Sequence, residues 1–306
     1  MISYKKASKE FKKNKGLFFM SLPGLVFIII FAYIPMVGLI IAFKDYTYDK
    51  GIFLSKWIGF ENFKFFFTSD AALRVTRNTI LLNLLFIIAG TIIAIICALM
   101  LYELNRRAVK LYQTILFFPF FISWVVASYA AYALMNYEFG GINSFLTNIG
   151  SQPIEWYLQY KYWIVILFIA YIWKNVGYFC LLYYTGLLDI DPVYFEAAKI
   201  DGASKWQQVW RVSLPLISPL VIMLVLLNIG KIFYADFGLF YFLPKNSGAL
   251  FKVTDVIDTY VYRSLKTTGD IGMASAVGFY QSIMGFILVM ISNFIVKRFD
   301  KDKSLF

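Results

Sequence analysis

The sequence has no histidine, which removes the commonest general base and the commonest metal ligand. Its two cysteines, Cys97 and Cys180, both lie in apolar runs, so neither a zinc cluster nor a disulfide framework is expected. Charged residues are also scarce, at 15% against roughly 25% in soluble domains. No Gly-x-x-x-x-Gly-Lys-Ser/Thr phosphate cradle occurs, and the Gly230-Lys231 pair is followed by Ile232 inside an apolar run. What fills the 306 residues instead is apolar: 60% hydrophobic, 20% aromatic. A soluble fold cannot hide that much apolar surface, which excludes a water-soluble enzyme or nucleic-acid-binding domain, and disorder is excluded for the same reason. The chain reads as an all-α membrane protein.

A membrane helix needs about 20 mostly apolar residues, and its backbone groups must be satisfied within the segment. Six runs qualify: 17–43, 78–102, 111–137, 162–188, 216–243 and 271–296. Four carry no charge, the fourth in chain order holds Lys174, and the fifth holds Lys231 and Asp236. The first run is too long for a signal peptide, so it is expected to be a retained helix. With the N-terminus inside, segments 1–16, 105–110, 189–215 and 297–306 hold 16 Lys and Arg, and the longer outer loops hold 11. Basic density is about twice as high inside, which places both termini in the cytoplasm and accounts for the net charge of +11 without nucleic acid. The expected organisation is a basic N-terminal segment, 1–16, a six-helix domain, 17–296, and a cytoplasmic tail, 297–306. Tyr4, Ala7 and Phe11 form a narrow apolar seam among six lysines, which suits either a positive-inside anchor or a helix lying on anionic lipid.

The loop 189–215 differs from everything around it. Asp191-Pro192 is a helix-start pair, Glu196 to Lys199 are good helix formers, and Gly202 supplies a stop. A second helical stretch runs to Leu214, where Pro215 and Pro219 mark entry into the fifth span. Glu196-Ala197-Ala198, Gly202, Leu214 and Pro215 fit the signature loop of ABC importer permeases, with Val212 in its isoleucine position. Asp201-Gly202-Ala203 resembles the carbohydrate branch of that family. So do the stretches Pro119–Val126, Trp173–Gly177 and Asp255–Arg263, although Phe120 stands where many relatives carry histidine.

The resemblance implies a permease for oligosaccharides or polysaccharide fragments in a bacterial cell membrane, working by alternating access. It implies a second, homologous permease, two ATPase subunits that bind ATP and Mg, and an extracellular sugar-binding lipoprotein. The chain itself is expected to need no cofactor and to catalyse nothing. Glu196, Ala197, Ala198, Asp201 and Gly202 are the expected ATPase-coupling residues; small alanines permit close docking, Gly202 fixes the bend, and Glu196 anchors.

At membrane depth, ionisable residues usually face a cavity or a partner. A sugar needs polar partners for its hydroxyls and flat apolar faces for its C–H patches. Trp124 and Ser128 are four apart, as are Lys174 and Tyr178, and Asn228 and Lys231 are three apart, so each pair shares a helix face. With Trp173 and Tyr234 they are the pathway candidates, and Gly230 permits a local break. Lys174, Lys231 and Asp236 each suit either pathway lining or a structural or interfacial place, and each single aromatic also suits a lipid- or core-facing one. The rival reading is an intramembrane lipid-linked glycosyl or prenyl transferase using Asp189 and Asp191; a helix cap accounts for that pair better. A structural scaffold is a weaker third reading.

Overall fold

The computed structural model describes residues 13–299, so the seam of Tyr4, Ala7 and Phe11 and the tail beyond residue 299 lie outside the described residues. These residues form two compact units. The first comprises 13–65 with 270–279. Its long element starts as α1 (Lys15–Ile28) and continues through a wide turn, Ile29–Tyr33, and a tighter helix, Ile34–Phe43. Almost all of its apolar side chains are exposed, as befits a span whose faces meet lipid or another subunit. After it, β1 (Lys44–Asp45) pairs antiparallel with β2 (Lys56–Trp57). Asn62 Nδ2 ties the turn down by donating to the carbonyls of Ala42 and Lys44 at 3.0 and 2.9 Å. Phe43 packs on Trp57, Phe60, Phe63 and Phe279.

The second unit comprises 66–269 with 280–299. Its helices include α2 (Asp70–Tyr102), α3 (Arg106–Phe117), α4 (Trp124–Met135), α5 (Trp163–Leu188), α6 (Pro192–Ile200), α7 (Lys205–Gln208), α8 (Leu214–Ile229), α9 (Ile257–Thr268) and the larger part of α10 (Ile271–Phe299). Helix α2 packs along α5, where the rings of Phe86 and Tyr171 stack at 4.3 Å. One core gathers Phe86, Trp124, Trp163, Leu167 and Phe240. Another gathers Ala94, Ala98, Val176, Cys180 and Tyr183, and both cysteines are free thiols.

Three expected spans differ from what forms. The second begins at Asp70 instead of Asn78, because its polar first turns find partners: Arg74 pairs with Asp255 at 3.1 Å, and Asn78 Nδ2 donates to the carbonyls of Lys252 and Asp255. The third is not one helix. Its halves, Arg106–Phe121 and Trp124–Met135, meet at 97°. Pro119 has no N–H to give, Ile122 is extended, and the Ser123 side chain caps α4 by accepting from Val126 N. The fifth, expected to reach Leu243, ends as a helix at Ile229. Among the described residues, five helices are long and apolar enough to cross a membrane, or six if the bent pair is one span.

Candidate functional site

The two broken helices meet. Trp124 is the first residue of α4, and its Nε1 donates to Asp236 Oδ2 at 2.6 Å across 112 positions of sequence. Asp236 Oδ1 accepts from Leu239 N at 3.2 Å, so both carboxylate oxygens are used, one starting the next helical turn. Gly238 lies so close to the indole that a Cβ there would sit 2.1 Å from Trp124 Cδ1. Asp236 is thereby fixed as a brace between the breaks.

Lys174 braces the junction from α5. Its Nζ donates to the carbonyls of Phe120 at 3.1 Å and Pro119 at 3.4 Å, and to that of Ile122, while lying 5.3 Å from the centroid of the Trp124 ring. The Pro119 carbonyl also accepts from Ile122 N at 3.1 Å, whereas those of Phe120 and Ile122 were released by the break and at membrane depth need a donor. One turn on, Gly177 lets the α3 backbone approach: a Cβ there would lie 1.9 Å from the Leu116 carbonyl oxygen. Tyr178 stacks on Phe120 at 4.9 Å, and Phe120 stacks on Phe117 at 5.5 Å, so Phe120 is the middle ring of a pile against the bend. Lys174 and Tyr178 thus share a face, as do Trp124 and Ser128, both of which are buried.

The third expected pair sits at the end of α8. Asn228 Nδ2 donates to the Leu224 carbonyl at 3.0 Å. Lys231, just past the C-cap Gly230, stays one turn from Asn228, its N–H donating to the Asn228 carbonyl at 3.0 Å. Lys231 is exposed and makes no side-chain polar contact among the described residues. The break after Gly230 does occur, but Gly230 has an ordinary helical φ of −59°. Its reason is close approach to α10: a Cβ at Gly230 would meet Val289 Cγ2 at 2.5 Å, and one at Gly285 would meet the Gly230 carbonyl at 2.4 Å. Tyr234 is 40% exposed, with its hydroxyl 2.6 Å from Ser282 Oγ. Trp173 turns away from this junction and lines an apolar cavity of about 360 Å³ with Ala127, Ala131 and Ile169. What the junction leaves open is the Lys231 ammonium and the rings of Tyr178 and Tyr234, groups that can bind a solute by hydrogen bonds and flat contact.

Three groups holding the second break were not singled out from the sequence: Asn83, Asp258 and Gln281. Asp258 lies just outside the spans, where burial pushes its carboxyl above the usual carboxylate range against the pull of its hydrogen bonds. A polar residue inside an apolar run was the available signal for Asn83 and Gln281. Asp255, like Asp258, was noted only as part of the resembling stretch Asp255–Arg263. It is 1% exposed and held between Arg74 and Arg263.

The loop 189–215 forms a helix–turn–helix. The Asp191 side chain caps α6 through Val193 N at 3.0 Å, and Gly202 turns the chain with φ +75°, a left-handed conformation that suits glycine. Ser204 and Gln207 close a reciprocal capping box on α7. Helix α7 then passes through a wide turn, Val209–Ser213, directly into α8. Glu196, Ala197 and Asp201 are exposed beside exposed Val193, Ile200, Trp206 and Trp210. Lys205 pairs with Glu103 at 2.7 Å, and the Phe195 ring lies 5.8 Å from Tyr102, which tie this element to the end of α2.

Residues 90–303 match the family described as "Binding-protein-dependent transport system inner membrane component". The chain is 32% identical over 292 residues to Protein LplB of Bacillus subtilis, covering 95% of this chain and 91% of that protein. It is 31% identical to the polygalacturonan/rhamnogalacturonan transport system permease protein YteP of the same organism, covering 95% and 90%. It also resembles a chain in the crystal structure of a bacterial ABC transporter involved in the import of the acidic polysaccharide alginate. There the TM-score is 0.85 at 30% identity, covering 96% of this chain and 99% of that one.

Proposed function

The chain belongs to the family of binding-protein-dependent transport system inner membrane components, and from that premise we propose that it carries oligosaccharides or polysaccharide fragments inward by alternating access. It is a non-catalytic, membrane-spanning permease subunit of an ABC importer, as its relatives are. The observation that carries the cargo class is the end-to-end likeness, in sequence to a polygalacturonan/rhamnogalacturonan permease and in fold to an alginate importer.

In this reading both termini and the loop 189–215 are cytoplasmic. A second permease completes the pathway, two ATPase subunits bind ATP and Mg, and an extracellular sugar-binding lipoprotein delivers the cargo; an alginate transporter has been crystallised with its pentasaccharide-bound periplasmic protein. Glu196, Ala197, Ala198, Asp201 and Gly202 form the surface on which an ATPase docks. Motion there has a physical route inward. Lys205–Ile229 is a rod of 25 residues, about 37 Å long, and its far end is the break carrying Lys231, Tyr234 and Asp236. Movement of α6 and α7 is thereby delivered to the junction with Trp124 and Lys174. Lys231, Tyr178 and Tyr234 meet the cargo, while Trp124, Ser128, Lys174 and Asn228 shape the wall.

Co-expression with candidate ATPases tests this. Glu196→Lys and Gly202→Asp are expected to insert normally, lose most ATPase copurification and abolish uptake, because a reversed or added charge disrupts a helix-in-groove contact. Normal association and uptake in both variants would remove the coupling role.

A further inference from the structure

The unwound segment after Gly230 is held by side chains to which the proposed pathway gives no role. Asn83 Nδ2, on α2, donates to the carbonyls of Ile232 at 2.8 Å and Tyr234 at 3.0 Å. Gln281 Nε2, on α10, donates to the Phe233 carbonyl at 2.6 Å, and Gln281 is 4% exposed. Asp258 Oδ2, on α9, accepts from Ala235 N at 2.7 Å. Three consecutive carbonyls and the next N–H therefore go to three other helices. A continued α8 would satisfy those groups locally, with no polar side chain spent in two apolar spans. Polar residues in such spans are costly, so a sequence that places Asn83 and Gln281 there is holding the backbone open at a set position. Tyr234 is fixed at both ends: its carbonyl by Asn83, and its hydroxyl by Ser282, the residue after Gln281.

We infer that Asn83, Gln281 and Asp258 are positioning residues for cargo recognition. They hold the backbone of 232–235 open so that Lys231 and Tyr234 meet the transported sugar at fixed geometry. This rests on the pathway reading of Lys231 and Tyr234 and adds residues that touch no cargo. Losing one support loosens the segment, which weakens recognition more than it slows the cycle, because the coupling loop and the rod are untouched.

The test uses the assembled importer in nanodiscs with its ATPases and binding protein. The probe is alginate pentasaccharide or maltopentaose, whichever the wild type imports faster. Asn83→Ala and the near-isosteric Gln281→Glu are expected to raise the half-saturating concentration about three- to tenfold, the scale of one lost hydrogen bond, with the maximal rate within about twofold. A merely structural role would lower assembly and maximal rate and leave half-saturation alone. If Asn83→Ala does not assemble, Gln281→Glu carries the test. A second readout needs no cargo: in a Cys97→Ser, Cys180→Ser background, adding either support variant to Lys231→Cys should change its labelling rate with an impermeant thiol reagent at least about threefold. If neither sugar is imported, this rate decides, and equal rates overturn the inference. Unchanged half-saturation in Lys231→Ala and Tyr234→Ala overturns the pathway reading and the inference together. A change in those two with none in the support variants overturns the inference alone.

Discussion

The Lys174 ammonium lies 3.1 Å from the Phe120 carbonyl oxygen, and it also serves the carbonyls of Pro119 and Ile122. A charged residue within an otherwise uncharged span thus answers a backbone need created by the break at Ile122 and Ser123. The same lysine lies beside the Trp124 ring, so the bend, the indole and the Asp236 brace form one assembly.

Lys174→Met should therefore damage the fold before it damages recognition. Each carbonyl left unsatisfied away from water costs about 1–3 kcal/mol, so a melting temperature several degrees lower is expected in detergent. Fluorescence-detected thermal melting checks this. Unchanged melting would mean that water or neighbouring groups replace the lysine.

Gly177→Ala should be among the most damaging small changes in the chain. Its new Cβ would lie 1.9 Å from a backbone oxygen that cannot rotate away, whereas a Cβ at Gly24 meets nothing within 4 Å. Overpacking of this kind costs about 1–3 kcal/mol or more. Folded yield in membranes should fall sharply for Gly177→Ala and stay near wild type for Gly24→Ala.

Most of the fold was legible as hydropathy, and the junction was not, for a physical reason. Apolar residues continue through Phe117–Phe121 and through Ile232–Phe233, so neither break interrupts the pattern that marks a span. Pro119 followed by Ser123 was the local sign of the first break, a missing donor and then a cap. The second was anticipated at Gly230, but for its flexibility; the glycine is there to let α8 touch α10. Helical spacing worked for Trp124 with Ser128 and for Lys174 with Tyr178, because both pairs lie on intact helices. Asn228 and Lys231, also three apart, are joined by the last turn at the end of α8. The supports Asn83 and Gln281 act across the fold, and no spacing in one segment reveals them. The loop 189–215 was readable because its caps, turn and stop are all local.

Orientation is checked by single cysteines in a cysteine-free background. Glu138→Cys and Lys199→Cys replace exposed side chains in loops assigned to opposite sides. In intact cells an impermeant thiol reagent should label the first and spare the second. The reverse pattern would turn the loop 189–215 away from the ATPases.

The buried acid Asp258 gives a pH signature. Its folded-state affinity for a proton is raised, chiefly by burial, while Ala235 N and Gln281 face it as hydrogen-bond donors. Its contribution to stability is full below its ordinary value of 3.8 and is lost as pH climbs through the raised one. Asp258→Asn keeps an acceptor for Ala235 N without the charge. Wild-type melting temperature should thus fall relative to Asp258→Asn as pH rises above the ordinary carboxylate value of 3.8. A constant difference would mean that the carboxyl titrates normally.

ATP-driven uptake in proteoliposomes tests the central claim most directly. Vesicles holding this chain, a second permease and their ATPases, supplied with the binding protein outside, should accumulate a labelled oligosaccharide only when ATP is enclosed. The same vesicles carrying Gly202→Asp should not. Accumulation without ATP, or equal accumulation with Gly202→Asp, would contradict an ATP-coupled permease acting through this loop.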